Sequence, residues 1–294
     1  MRALPLLVAL TCLMVPALAQ TPVRAGDMDK LVLSAGAEAA KWNVAEATMA
    51  PATEPTLDGT EVHHFHIDVD HHAGEAAYPI GWPRTNLPLT EPWQRDWSGY
   101  DFFRFSVYAQ TSAEKLPTTP LGMLLHIPDR ANQFNMNLLE LVKDQWVEVT
   151  VPISRIARHE DVRLIQFFIS ESNYADGDVL DFYISDLCLL RYATPHLSEV
   201  AVKPSVAYAD ALYVVVGLRA LGIAEGQTAR ATVGLLDGER QVATTQTEVG
   251  RGPAELPLNL RAHDLAPGTY TVRIALDGGE PQDYRLRVVP SPWE

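Results

Sequence analysis

After residue 60 the apolar and polar positions of this chain alternate with period two, in runs of about five to nine residues closed by Gly, Pro, Asn and Asp. Successive side chains on a strand point to opposite faces, so this is the pattern of strands with one buried side. Predicted strands include Val62-His-His-Phe-His-Ile-Asp-Val69, Phe102-Phe-Arg-Phe-Ser-Val-Tyr108, Trp146-Val-Glu-Val-Thr-Val151, Leu164-Ile-Gln-Phe-Phe-Ile169 and Leu180-Asp-Phe-Tyr-Ile-Ser-Asp-Leu187. Helical periodicity is scarce, with a turn or two predicted around Gly26 to Leu33 and near Ile153 to Arg158. An antiparallel all-β architecture follows, and with this many strands it means a sandwich or barrel.

The pattern changes at Tyr192-Ala-Thr-Pro-His196, where a predicted strand ends at a proline. The stretch before it is rich in aromatics and His, and the stretch after it in Ala, Val, Leu, Thr and Gly. Six further strands are predicted beyond the boundary: Ala211 to Leu218, Ala229 to Leu236, Gln241 to Val249, Ala254 to Leu260, Tyr270 to Leu276 and Asp283 to Val289. Their spacing is that of a second sandwich. The expected division is a leader over 1–19, a first domain over 20–194 and a second over 195–294.

The leader reads Met-Arg, an apolar run from Ala3 to Leu18 broken by Pro5 and Pro16, and the site Ala17-Leu18-Ala19. This is the form of a secretory signal peptide and predicts a secreted or periplasmic protein with no membrane insertion. Lipid attachment at Cys12 is the competing reading, but Thr11 stands where a lipobox has a small residue. Cleavage after Ala19 would leave Cys188 as the only cysteine, so core burial, without an internal disulfide, has to stabilise the fold. The chain carries 37 acidic against 23 basic residues and no Lys/Arg cluster, which argues against a nucleic-acid partner.

Three pieces of the first domain together resemble secreted carbohydrate-binding modules with the galactose-binding-like jelly-roll fold. They are Gly36-Ala-Glu-Ala-Ala-Lys-Trp42, then Trp97-Ser-Gly-Tyr-Asp-Phe-Phe-Arg-Phe-Ser-Val107, then Asp181-Phe-Tyr-Ile-Ser-Asp-Leu187. Leu265-Ala-Pro-Gly-Thr-Tyr-Thr-Val-Arg-Ile274 resembles the turn and penultimate strand of bacterial immunoglobulin-like or fibronectin-like modules. The implied fold is an N-terminal jelly-roll β-sandwich plus a C-terminal immunoglobulin-like β-sandwich. The resemblance also implies a glycan or polysaccharide ligand and a structural calcium, with Glu38 and Asp186 at the matching positions; read without it, these are a solvated acid and a strand-end cap.

Such modules bind ligands either on a sheet face or in loops at one end. On the face, the polar parity comprises His64, His66, Asp68 and Asp70; Arg104, Ser106 and Tyr108; Asn135 and Asn137; and Gln166. These side chains can hydrogen-bond or stack on sugars, but the strands divide between two sheets, so only about half can share one surface. In the loops, Tyr78, Trp82 and Arg84 lie in a Pro- and Gly-stiffened segment, with Glu171 and Tyr174 in a comparable one. Rigid aromatics lose little entropy on binding. The opposing reading has Trp82 folded inward as an end plug. Trp42, Trp97 and Trp146 read as core or sandwich-edge residues.

Catalysis has weaker support. The run His63-His-Phe-His-Ile-Asp-Val-Asp-His-His72 puts His64, His66, Asp68 and Asp70 in a row where a metal could bind, yet HExxH, G-x-S-x-G and P-loop signatures are all missing. The expectation is therefore a non-catalytic glycan-binding protein, the second domain acting as spacer or docking module for a protein partner. The runner-up is a structural or adhesion protein of a cell-surface assembly, followed by a polysaccharide lyase or glycoside hydrolase.

Overall fold

In the computed structural model the described residues are 28–73, 80–128, 133–261 and 263–293. The leader over 1–19 and Tyr78 lie outside them. The first half of the chain supplies eleven strands among the described residues: β1 (Met28–Ser34), β2 (Asn43–Ala45), β3 (Thr48–Ala52), β4 (Val62–Asp68), β5 (Arg84–Pro88), β6 (Phe102–Thr111), β7 (Gly122–His126), β8 (Phe134–Asn137), β9 (Trp146–Pro152), β10 (Leu164–Phe168) and β11 (Val179–Tyr192). One sheet runs β3-β4-β11-β6-β9, with β1 added along the C-terminal half of β11; the other runs β2-β5-β10-β7-β8. Every pairing between these strands is antiparallel.

The two sheets close on a core built from one parity of each strand. Phe65 and Ile67 of β4, Phe103, Phe105 and Val107 of β6, Ile165 and Phe167 of β10 and Phe182 of β11 are wholly buried. Phe105 and Phe167 meet edge to face at 5.2 Å across the gap between sheets. Each such side chain contributes about 1.5–3 kcal/mol of burial, so the alternation itself decides which face turns inward. Trp97 and Trp42 join the same core, as expected, the Trp97 indole donating to the Gln94 carbonyl at 2.7 Å.

Two local expectations need correction or completion. The helical turn predicted around Gly26 to Leu33 is strand β1 over its described part, because Met28 to Ser34 extends the sheet by pairing with Leu187 to Tyr192. Long-range pairing overrides local propensity there. The turn near Ile153 to Arg158 is a single 3₁₀ turn, Ile153–Arg155.

The second half forms β12 (His196–Lys203), β13 (Val206–Tyr208), β14 (Tyr213–Leu221), β15 (Ala229–Asp237), β16 (Arg240–Val249), β17 (Gly252–Asn259), β18 (Gly268–Leu276) and β19 (Gln282–Val289). They make sheets β12-β14-β17 and β13-β19-β18-β15-β16 around a core of its own. All six strands predicted here are present; β12 and β13 are additional. The fold is thus all-β, two sandwiches in succession. Among the described residues no helix is long and apolar enough to cross a membrane.

Candidate functional site

The outer face of the larger sheet in the first sandwich carries an ordered row of rings. Register places His64 of β4 opposite Tyr183 of β11, Tyr183 opposite Tyr108 of β6, and Tyr108 opposite Trp146 of β9. The contacts follow the register: His64 stacks on Tyr183 at 4.5 Å and 8°, Tyr183 meets Tyr108 edge-on at 6.1 Å, and Tyr108 leans on Trp146 at 5.6 Å. With strands about 4.8 Å apart, the row from first to fourth strand is about 14 Å long. Tyr183 forms its floor at 8 % exposure, while His64, Tyr108 and Trp146 are half-buried with ring surface open to solvent.

Polar side chains flank the row on both sides. One register step away, His66 pairs with Asp181 and Asp181 with Gln110, whose amide donates to Asp144 at 3.3 Å. Oδ1 of Asp181 lies 2.7 Å from both His64 Nε2 and His66 Nδ1. Burial acts to raise the Asp181 carboxyl, but the two imidazole contacts outweigh it and hold the group below the usual carboxylate range. The hydrogen bond to Asp181 in turn raises His66 above the ordinary imidazole value. On the other side lie Ser106, Ser185 and Glu148, then Arg104, which pairs with Asp186.

At the His66 end the face opens into a cleft of about 350 Å³ lined by Glu46, Thr48, His66, Asp68, Asp70 and Glu171, among others. The loop there is held by carboxylates rather than presented by them. Glu171 is only 3 % exposed and accepts from the backbone N–H of Gly81 at 2.7 Å and of Asp70 at 3.4 Å, while Glu46 accepts from the N–H of Trp82 at 2.5 Å. A Cβ on Gly81 would come within 2.6 Å of the Glu46 carboxylate and 2.7 Å of that of Glu171, so a side chain there would push both carboxylates away from their backbone contacts.

The expected loop residues therefore separate. Tyr174 is buried and donates from its hydroxyl to the Pro120 carbonyl at 2.6 Å; burial drives its pKa far above the phenol range, and it is a packing residue, not a ligand contact. Glu171 is likewise internal. Trp82 stays 46 % exposed and does not plug the sandwich: it packs edge-on against Phe168 and carries the Arg84 guanidinium 4.9 Å over its ring. Phe168 and Arg84 are register partners on the smaller sheet, so Trp82 and Arg84 belong to the opposite side of the sandwich from Arg104 and Tyr108. Asn135, Asn137 and Gln166 also belong to that smaller sheet, and Gln166 is buried with its amide donating to Asn86.

Glu38 and Asp186 do not fit a shared calcium site. Glu38 pairs with Lys41 and caps the Ala35 N–H, whereas Asp186 sits between Lys30 and Arg104. A divalent cation there would have to displace three separate ion-pair partners. Asp186 itself has φ +53°, at the register shift that interrupts the pairing of β11 with β6 between Ser185 and Cys188.

The sequence pattern points to Arg104, Tyr108, His64 and His66 but not to Tyr183 and Asp181; Trp146, expected at the core or sandwich edge, lies on the edge strand β9. The missed signal was the parity of β11, in which Asp181, Tyr183 and Ser185 oppose Leu180, Phe182 and Ile184.

No family model matches the chain, and no curated protein does. Among solved structures it is similar to a family 11 carbohydrate-binding module from Clostridium thermocellum in complex with a β-1,3-1,4-mixed-linked tetrasaccharide, at 12% identity and TM-score 0.34, over 51% of this chain and 88% of that one. It is also similar to the glycoside hydrolase domain of Endo-D from Streptococcus pneumoniae R6, at 13% identity and TM-score 0.29, over 84% of this chain and 37% of that one. A third is a glycosyl hydrolase family 2 member from Bacteroides cellulosilyticus, at 13% identity and TM-score 0.26, where the overlap spans 89% of this chain and 36% of that one. At these levels of likeness, a function for this chain has to be drawn from its own surface.

Proposed function

We propose that the chain is a non-catalytic glycan-binding protein that takes an oligosaccharide across the outer face of the larger sheet of its first sandwich. One observation carries this reading: the cross-strand row His64, Tyr183, Tyr108 and Trp146, in which half-buried His64, Tyr108 and Trp146 flank a buried Tyr183, with hydrogen-bonding side chains on both sides. Aromatic rings offer sugar rings an apolar platform, and Gln110, Arg104 and Glu148 supply donors and acceptors for hydroxyls beside it. Any antiparallel sheet with one side buried shows polar residues outside; rings in register over four strands are a more specific feature.

The test is a panel of soluble polysaccharides in affinity electrophoresis, followed by calorimetry on whichever is retained. Tyr108→Ala and Trp146→Ala are expected to weaken binding roughly tenfold each, since a stacking contact is worth about 0.5–1.5 kcal/mol beyond its buried area. No retention across the panel, or unchanged affinity in both variants, would overturn the proposal. Release of reducing ends or unsaturated products would overturn its non-catalytic part.

A further inference from the structure

We infer that His64, His66 and Asp181 form a binding site for one zinc-class divalent cation. The inference does not rest on the glycan reading. Two imidazole nitrogens and one carboxylate oxygen lie within 4.8 Å of one another, half-buried and reachable from solvent. Their convergence comes from the fold: His64 and His66 are two apart on β4 and so share a face, and Asp181 is the register partner of His66 on β11.

The donor atoms select the metal. Imidazole nitrogen with a carboxylate suits Zn²⁺, Cu²⁺ or Ni²⁺, whereas Ca²⁺ and Mg²⁺ take oxygen ligands. Zinc bonded at about 2.0–2.1 Å in a tetrahedron separates its ligands by about 3.3 Å. The two 2.7 Å contacts from Asp181 Oδ1 to His64 Nε2 and His66 Nδ1 thus need to open by only about half an ångström, within side-chain rotation. A second carboxylate oxygen, Oδ2 of Asp68, stands 3.5 Å from Nε2 of His66, the ring nitrogen turned away from the site. An outer carboxylate on a ligating histidine fixes its tautomer and raises its basicity. Three protein donors leave the fourth tetrahedral position to water or to an oxygen of a bound ligand.

The full chain, stripped with a chelator and dialysed, is titrated with Zn²⁺ alone in a calorimeter. The expected result is one Zn²⁺ per chain, with binding at least tenfold weaker in His66→Ala and Asp181→Asn, roughly tenfold weaker in Asp68→Asn, and unchanged in the double variant His71→Ala/His72→Ala. Wild-type protein loaded with one equivalent of Cu²⁺ is expected to show electron-spin superhyperfine coupling from two imidazole nitrogens, a readout independent of how the variants fold. The inference is overturned if wild type binds no Zn²⁺ saturably, if only the His71/His72 variant loses it, or if the copper spectrum shows fewer than two nitrogens.

Discussion

Arg251 of the second sandwich donates from Nη2 to Oδ1 of Asp101 at 2.6 Å, and the aspartate side chain it meets is wholly shielded from solvent. The other carboxylate oxygen accepts the backbone N–H of Tyr192 at 3.0 Å and of Gly222 at 3.1 Å, one from each side of the boundary. A single buried charge thereby ties the closing strand of the first sandwich to the residue just after β14 and the residue just before β17 of the second. Removing one partner of such a pair leaves an uncompensated charge and costs about 3–5 kcal/mol. Arg251→Met is expected to lower the unfolding free energy by about 3 kcal/mol in urea titration, with Arg251→Lys recovering part of it. Equal midpoints for wild type and Arg251→Met would mean that the contact contributes nothing.

The Glu171 clamp makes a second stability prediction. Its carboxylate satisfies backbone donors at Gly81 and Asp70 from a buried position. Glu171→Ala strips a charged acceptor from both, worth about 1.5–3 kcal/mol for a hydrogen bond to a charged group. The variant should unfold at lower urea and expose the bonds around residues 80–82 to proteolysis before the rest of the chain. A wild-type cleavage pattern would refute the clamp.

The strands were legible because period two marks the buried face whatever lies opposite: Phe65 and Ile67 inward, His64 and His66 outward, as expected from their spacing. Which strands stand side by side was not legible. His64 and Asp181 are 117 residues apart, and their contact depends on β11 entering the sheet between β4 and β6, a long-range choice with no local signature. For the same reason the period-two pattern gives no sign that the face residue Arg104 and the loop residue Arg84 lie on opposite sheets. Tyr174 misled differently: its Gly- and Asp-rich loop reads as exposed, yet its ring is buried and its hydroxyl satisfied by the Pro120 carbonyl.

Two tryptophans distinguish the loop site from the sheet-face site. Trp82 is open to solvent beside Arg84 and Phe168 on the smaller sheet, while Trp146 closes the ring row on the larger one. For whichever polysaccharide the wild type retains, Trp82→Ala is expected to bind within about twofold of wild type and Trp146→Ala roughly tenfold more weakly. The reverse order in calorimetry would move the site to the loop at residues 80–84.

His63 gives a pH-dependent prediction separable from the site. It shares the parity of Phe65, is 1 % exposed, packs against Trp42 at 5.1 Å and meets Ser34 Oγ at 3.0 Å. Burial pushes its pKa down from 6.5 to about 4. Between those values the unfolded chain binds a proton that the folded chain does not, so stability rises with pH through that window and falls on acidification. The loss between pH 7 and pH 4 is roughly 3 kcal/mol for this group. His66, whose pKa is raised, acts with the opposite sign and only above pH 6.5. His196, also lowered by burial, acts with the same sign as His63, so the measurement is a difference between two proteins. Urea midpoints at pH 7, 5.5 and 4 should fall more steeply for wild type than for His63→Gln, whose side chain does not titrate. Parallel pH profiles would show that His63 is protonated in the folded chain at an ordinary pKa.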